Sequence, residues 1–131
     1  MYCLDTDISV GFLRGTPAAV KKITDLQHSV SELAVTALTL SELYKGAFLS
    51  SDTEKNLRLV EKFMKNVTFL LQDNSSCIMF GRDFAFLKNK GLMTQQMDLM
   101  IASICKANDM ILLTHNLKDF KNIPGLSLEE W

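Results

Sequence analysis

Gln95-Gln96-Met97-Asp98-Leu99-Met100-Ile101-Ala102-Ser103-Ile104-Cys105-Lys106-Ala107-Asn108-Asp109-Met110-Ile111-Leu112-Leu113-Thr114-His115-Asn116 reads as a helix, a break and a strand. Apolar side chains at Met97, Leu99, Met100, Ile101, Ile104 and Ala107 surround the helical repeat almost completely, the pattern of a buried helix. The spacing predicts a helix from Gln95 to about Asn108, capped by Thr94. Met110–Thr114 follows as a short apolar run, the mark of a strand covered on both faces. A buried helix leading into a buried strand is the repeating unit of an α/β fold.

The same alternation extends outward. Toward the N-terminus, Met1–Leu4 reads as a strand ending at Asp5, and Ile8–Leu13 as a helical turn closed by Gly15. Thr16-Pro17 opens a helix to about His28, with Pro at the first helical position. Leu33–Thr36 is a strand, Thr39–Leu49 a helix, and Ser51 or Asp52 caps a helix to about Asn66. Val67–Leu71 is a strand, and Asp73 or Asn74 caps a helix to Lys90, stopped by Gly91. Toward the C-terminus, Leu126–Leu128 is an edge strand. The expectation is one α/β domain over residues 1–131, with a mostly parallel sheet of about four to five strands.

A chain of 131 residues that is 47% hydrophobic and 22% charged can bury a core without covalent staples. The net charge of −1 is not the basic balance usual for nucleic-acid binding, although acids gathered in one pocket leave a basic rim elsewhere. Cys3, Cys77 and Cys105 are odd in number and lack CxxC spacing, which predicts reduced core thiols in a cytoplasmic protein. Asp5 and Asp7 interrupt the N-terminal apolar stretch, so no signal peptide is expected. No apolar run nears the ~20 residues of a membrane span.

Four apolar segments run into a carboxylate or amide: Asp5, Glu42, Asp98, and Asn116 with Asp119 behind it. An acid beside an apolar run is costly to bury unless it is paired or ligates a metal. Hard oxygens gathered at one edge of a sheet suit Mg²⁺, and ligands of open α/β sheets bind beyond the strands' carboxyl ends. Each acid also has a structural alternative. Asp5 could cap the next helix, and Asp7 reads as a helix-start acid pointing elsewhere. Thr39-Leu40-Ser41-Glu42 matches a capping box, and Asp98 could sit in an ion pair. Asn116 and Asp119 could each cap a turn. His28 and His115 are isolated and lack zinc spacing. The methionines at 93, 97 and 100 form a core stripe.

Taken in order, these segments resemble the PIN-domain ribonucleases, in particular the VapC-type toxins of toxin–antitoxin pairs. Leu4-Asp5-Thr6-Asp7-Ile8 resembles the opening motif, and Thr36–Ala47 the glutamate-bearing one. Asp98-Leu99-Met100-Ile101-Ala102-Ser103 resembles DxxIAA. Leu113–Phe120, Ile123-Pro124-Gly125-Leu126 and Trp131 resemble the TxNxxDFxxIPGL…W ending. Asp7 stands where Asn is common, Ser103 where Ala is, and Asn116 where many relatives carry a fourth acid.

The resemblance implies a three-layer α/β/α fold and an endoribonuclease using Mg²⁺, with Mn²⁺ the alternative. Asp5 and Asp98 would ligate the metal directly, Glu42 directly or through water, and Asn116 and Asp119 would complete the shell. It implies an RNA substrate, transfer or ribosomal, cut to 5′-phosphate and 3′-hydroxyl ends. Lys45, Lys118 and Lys121 are the candidate rim contacts. It also implies a homodimer and a cognate VapB-type antitoxin lying across the acidic groove. Asp5-Thr6-Asp7 resembles a haloacid-dehalogenase-like phosphatase motif as well, but that reading leaves Glu42 without a role. A receiver domain would want a lysine after its last strand, and a degenerate PIN domain would bind without cutting.

Overall fold

The computed structural model describes residues 1–29 and 31–131. Strand β1 (Tyr2–Leu4) leads into α1 (Thr6–Leu13) and α2 (Pro17–His28). Then come β2 (Leu33–Thr36), α3 (Ala37–Leu49), α4 (Thr53–Met64) and β3 (Thr68–Leu70). The chain closes with α5 (Asn74–Lys90), α6 (Gln96–Ala107), β4 (Ile111–Leu113), α7 (Leu117–Phe120) and β5 (Ser127–Glu129).

The five strands form one sheet in the order β3-β2-β1-β4-β5, and every pairing is parallel. The expected parallel α/β sheet is therefore present, with no antiparallel member among the described residues. The chain builds outward from β1 to β3, then crosses back to lay β4 and β5 on the other side. That reversal makes the crevice beside β1 and β4 the topological switch point, where ligands of such sheets bind.

Alternate residues of each strand feed opposite cores, as a sheet covered on both faces requires. Cys3, Ala34 and Leu112 pack with Leu99, Ile104 and Cys105 of α6. Leu4, Val35 and Leu113 pack with Ile8 of α1, Leu43 of α3 and Val60 of α4. Between α5 and α6, the Lys106 ammonium meets the Asp83 carboxylate at 2.6 Å, both side chains largely buried. Cys3 and Cys105 are buried free thiols, but Cys77 is exposed on α5, so only two of the three join the core.

Three helix starts differ from expectation, each for a local reason. Helix α1 begins at Thr6, directly after the strand, because Asp5 itself caps it. Helix α3 begins at Ala37: the Thr36 hydroxyl accepts the Thr39 N–H at 3.2 Å, so Thr39 lies inside the helix and no capping box forms with Glu42. Helix α6 begins at Gln96, and Thr94 does not cap it; its hydroxyl donates to the Asp119 carbonyl at 2.8 Å, tying the α6 approach to α7. Asp73 does cap α5, in a capping box with Ser76, and Gly91 ends that helix at φ 67°. Among the described residues no helix is long and apolar enough to cross a membrane.

Candidate active site

The register Leu4↔Leu113 brings the next residues of β1 and β4, Asp5 and Thr114, side by side. The Thr114 hydroxyl donates to Asp5 Oδ2 at 2.7 Å, and the Thr6 N–H donates to Oδ1 at 2.8 Å. Asp5 is only 4% exposed. Burial pushes its pKa up to about 6; the Thr114 bond pulls it down, Asp7 pushes it up again, and Asp98 adds to the rise. Capping and site membership are thus not alternatives for Asp5. One oxygen starts α1 and the other turns toward β4.

Asp7 was expected to point away and does not. Its Oδ2 accepts the His115 N–H at 2.9 Å, and its Oδ1 accepts the Ile8 N–H at 2.6 Å. Because α1 starts immediately, Asp5 and Asp7 both lie at its positive mouth, facing the loop after β4. Asp98 lies in the first turn of α6 and is half-buried. Desolvation raises its pKa most, followed by Asp119 and then Asp7. Asp119 on α7 is exposed.

Four carboxylates from three parts of the chain therefore share one electrostatic neighbourhood: Asp5, Asp7, Asp98 and Asp119. Among the described residues none of the four is in an ion pair. Asn116 precedes α7 without a side-chain cap, and its N–H donates to Thr114 Oγ1 at 3.0 Å.

Glu42 stands apart. Its carboxylate meets Lys45 Nζ at 3.1 Å and lines a groove of about 210 Å³ with Val10, Arg14, Leu43 and Leu59. Its helix is still fastened to the site, since the Thr39 and Thr6 hydroxyls lie 3.2 Å apart one turn earlier. Reading the sequence also missed Thr114. Its signal was a hydroxyl ending the strand that pairs with the Asp5 strand.

Oxygen donors without a counter-cation fit a hard divalent ion. Among the described residues no three His, Cys, Asp or Glu side chains close into a ready-made cage. An open set of carboxylates suits Mg²⁺, which keeps several waters and needs few protein ligands.

Comparison with known proteins agrees with this geometry. A PIN domain family model matches residues 2–126. The tRNA(fMet)-specific endonuclease VapC of Salmonella typhimurium is 31% identical over 130 residues, 99% of this chain and 97% of that protein. Ribonuclease VapC1 of Haemophilus influenzae is 29% identical, covering 100% of this chain and 98% of its own length. Among solved structures, VapBC2 from Rickettsia felis bound to a promoter DNA fragment superposes with a TM-score of 0.90 at 29% identity, over 99% of this chain and 98% of that one. DNA-bound VapBC from Salmonella typhimurium also gives 0.90, at 30% identity over 99% and 97%. The match leaves no place for the phosphatase or receiver readings of Asp5-Thr6-Asp7. The chain belongs to the PIN-domain family, in its VapC group.

Proposed function

We propose that this chain is the endoribonuclease of a toxin–antitoxin pair and hydrolyses RNA phosphodiester bonds at the crevice between β1 and β4. The observation that carries this reading is the set of four carboxylates, without ion-pair partners among the described residues, that Asp5 after β1 shares with Asp7, Asp98 and Asp119 on the neighbouring helices, with Asp5 and Asp98 both shifted toward holding protons. Such a set is unfavourable alone and becomes favourable around a cation.

Asp5 and Asp98 would hold the ion, Mg²⁺ in preference to Mn²⁺. Glu42 would join them directly or through water, and Asn116 and Asp119 would complete the surroundings. When bound, the ion supplies a Lewis acid for the phosphate and lowers the pKa of water. The chain's part is to hold its carboxylates still. Asp5 has two hydrogen-bond donors, Asp7 is fixed by two backbone N–H groups, and Thr114 joins the two strand ends. Water adds at phosphorus and the 3′ oxygen leaves, giving 5′-phosphate and 3′-hydroxyl ends. Lys45, Lys118 and Lys121 flank the acids in sequence and would receive the RNA backbone.

The proposed substrate is transfer RNA cut in an accessible loop, supported by the name of the Salmonella relative; ribosomal RNA is the other outcome to test. A VapB-type antitoxin is the proposed partner, supported by the VapBC complexes that share this fold. A homodimer of the chain would carry the pair of sites. The test is incubation of antitoxin-free protein with total RNA, with Mg²⁺ or with EDTA, followed by end-mapping. Discrete 5′-phosphorylated transfer-RNA fragments that need the metal are expected. Intact RNA with both Mg²⁺ and Mn²⁺, from folded protein, would refute the proposal.

A further inference from the structure

The loop after β4 carries an aromatic pair that the chemistry above does not use. The His115 imidazole stacks on the Trp131 indole, ring centroids 3.5 Å apart and planes 18° from parallel. His115 is nevertheless exposed, so the residue keeps solvent-accessible surface outside its contact with the indole.

The pair is anchored on both sides. The His115 backbone N–H donates to Asp7 Oδ2 at 2.9 Å, which fixes this point of the loop at the edge of the acidic cluster. The indole edge packs on Gly11 of α1, where an added methyl group would meet Trp131 Cη2 at 3.6 Å and Ala19 Cβ at 3.0 Å. Among the described residues the buried indole N–H has no hydrogen-bond partner, so stacking and packing are what hold this ring. An exposed aromatic residue, backed by a second ring and joined to a phosphate-cleaving site, is what an unstacked nucleobase seeks. Bases of single-stranded loops stack on such rings whatever their sequence.

Resting on the nuclease reading, we propose that His115, backed by Trp131, is the stacking platform for a nucleobase flanking the scissile phosphodiester. The ligand class is one unpaired base of an RNA loop. Asn116 and Lys118, just beyond the platform, offer polar and cationic groups to that nucleotide.

The test uses single-stranded RNA spanning the mapped cut, titrated onto non-cleaving Asp98→Asn protein with Mg²⁺. Trp131 is the only tryptophan, so its fluorescence reports directly on the stack. His115→Ala should weaken binding by about fivefold or more, the low end for one stacked base, while His115→Phe stays within about twofold. Removing the bases beside the cut should weaken binding to the parent protein and make no further difference to His115→Ala. Equal binding by His115→Ala and its parent would overturn the platform. So would a loss that is the same for base-containing and abasic RNA. If His115→Ala instead lowers Mn²⁺ affinity, measured calorimetrically in otherwise wild-type protein, the imidazole merely steadies the loop whose backbone N–H holds Asp7, and the platform falls. Failure of the nuclease reading looks different: unaltered protein would neither bind nor cut any RNA.

Discussion

Replacing Asp5 by Asn should make the metal-free protein more stable at alkaline pH while abolishing its chemistry. Asp5 has its pKa raised from 3.8 to about 6, first by burial. The folded chain then binds this proton more tightly than the unfolded chain. Stability is full below the unfolded pKa, falls as pH climbs from about 4 toward 6, and stays reduced above that. A shift of about two units corresponds to about 3 kcal/mol at pH 8 and about 0.5 kcal/mol at pH 4. The Asn amide can still accept from Thr6 and can turn its NH₂ toward Thr114 Oγ1, and Asn caps helices as well as Asp does. Loss of the charge at the α1 mouth costs about 0.5–1 kcal/mol. The net gain is about 2 kcal/mol at pH 8 and, because folded Asp5 is already protonated there and has no charge to lose, only about 0.5 kcal/mol at pH 4. For a chain of this size that is a rise in Tm of roughly 6 °C at pH 8. Calorimetric melts in EDTA at the two pH values read it directly. An equal shift at both, or a less stable Asp5→Asn at pH 8, would refute the reasoning.

Thr114→Val removes the donor that pulls the Asp5 pKa down, so the acid limb of the cleavage pH profile should move to higher pH. It also leaves Asp5 Oδ2 without that partner, at about 1–3 kcal/mol of stability in urea melts. Asp83→Ala strands Lys106 between α5 and α6 and should cost about 3 kcal/mol, whereas Asp83→Leu with Lys106→Met should recover most of it; a double-mutant cycle separates the two. Mg²⁺ should raise Tm at pH 8 and raise it much less at pH 5, because protons compete for Asp5 and Asp98, whose pKa values are both raised. Equal metal shifts at both pH values would count against these two acids as ligands.

The α/β alternation was legible because each strand is a short apolar run between helices with recognisable ends. Pro17, Asp52, Asp73 and Gly91 act in the structure as their residue types predict. Thr39 misled because a threonine three residues before a glutamate satisfies the capping-box pattern, while Thr36, also a threonine, lies at the actual end of β2 and caps first. Thr94 misled in the same way, its hydroxyl being taken by the distant Asp119 carbonyl. Local pattern cannot weigh partners that only the fold brings near. For the same reason Asp7 was read as pointing away: its partner His115 lies across the β1–β4 crevice. Strand order is equally invisible in the sequence, yet it is what sets Asp5 beside Thr114. Glu42 was grouped with the other acids by its place beside an apolar run, and in the structure its carboxylate meets Lys45.

The most direct test is the cleavage rate of one mapped RNA by Asp98→Asn against the unaltered protein, both with Mg²⁺ and both shown folded by circular dichroism. If the four carboxylates carry the chemistry, kcat/KM falls by about a hundredfold or more, the scale of losing one group that stabilises developing charge. Cleavage by Asp98→Asn at the unaltered rate would contradict the account and move the active centre away from this crevice.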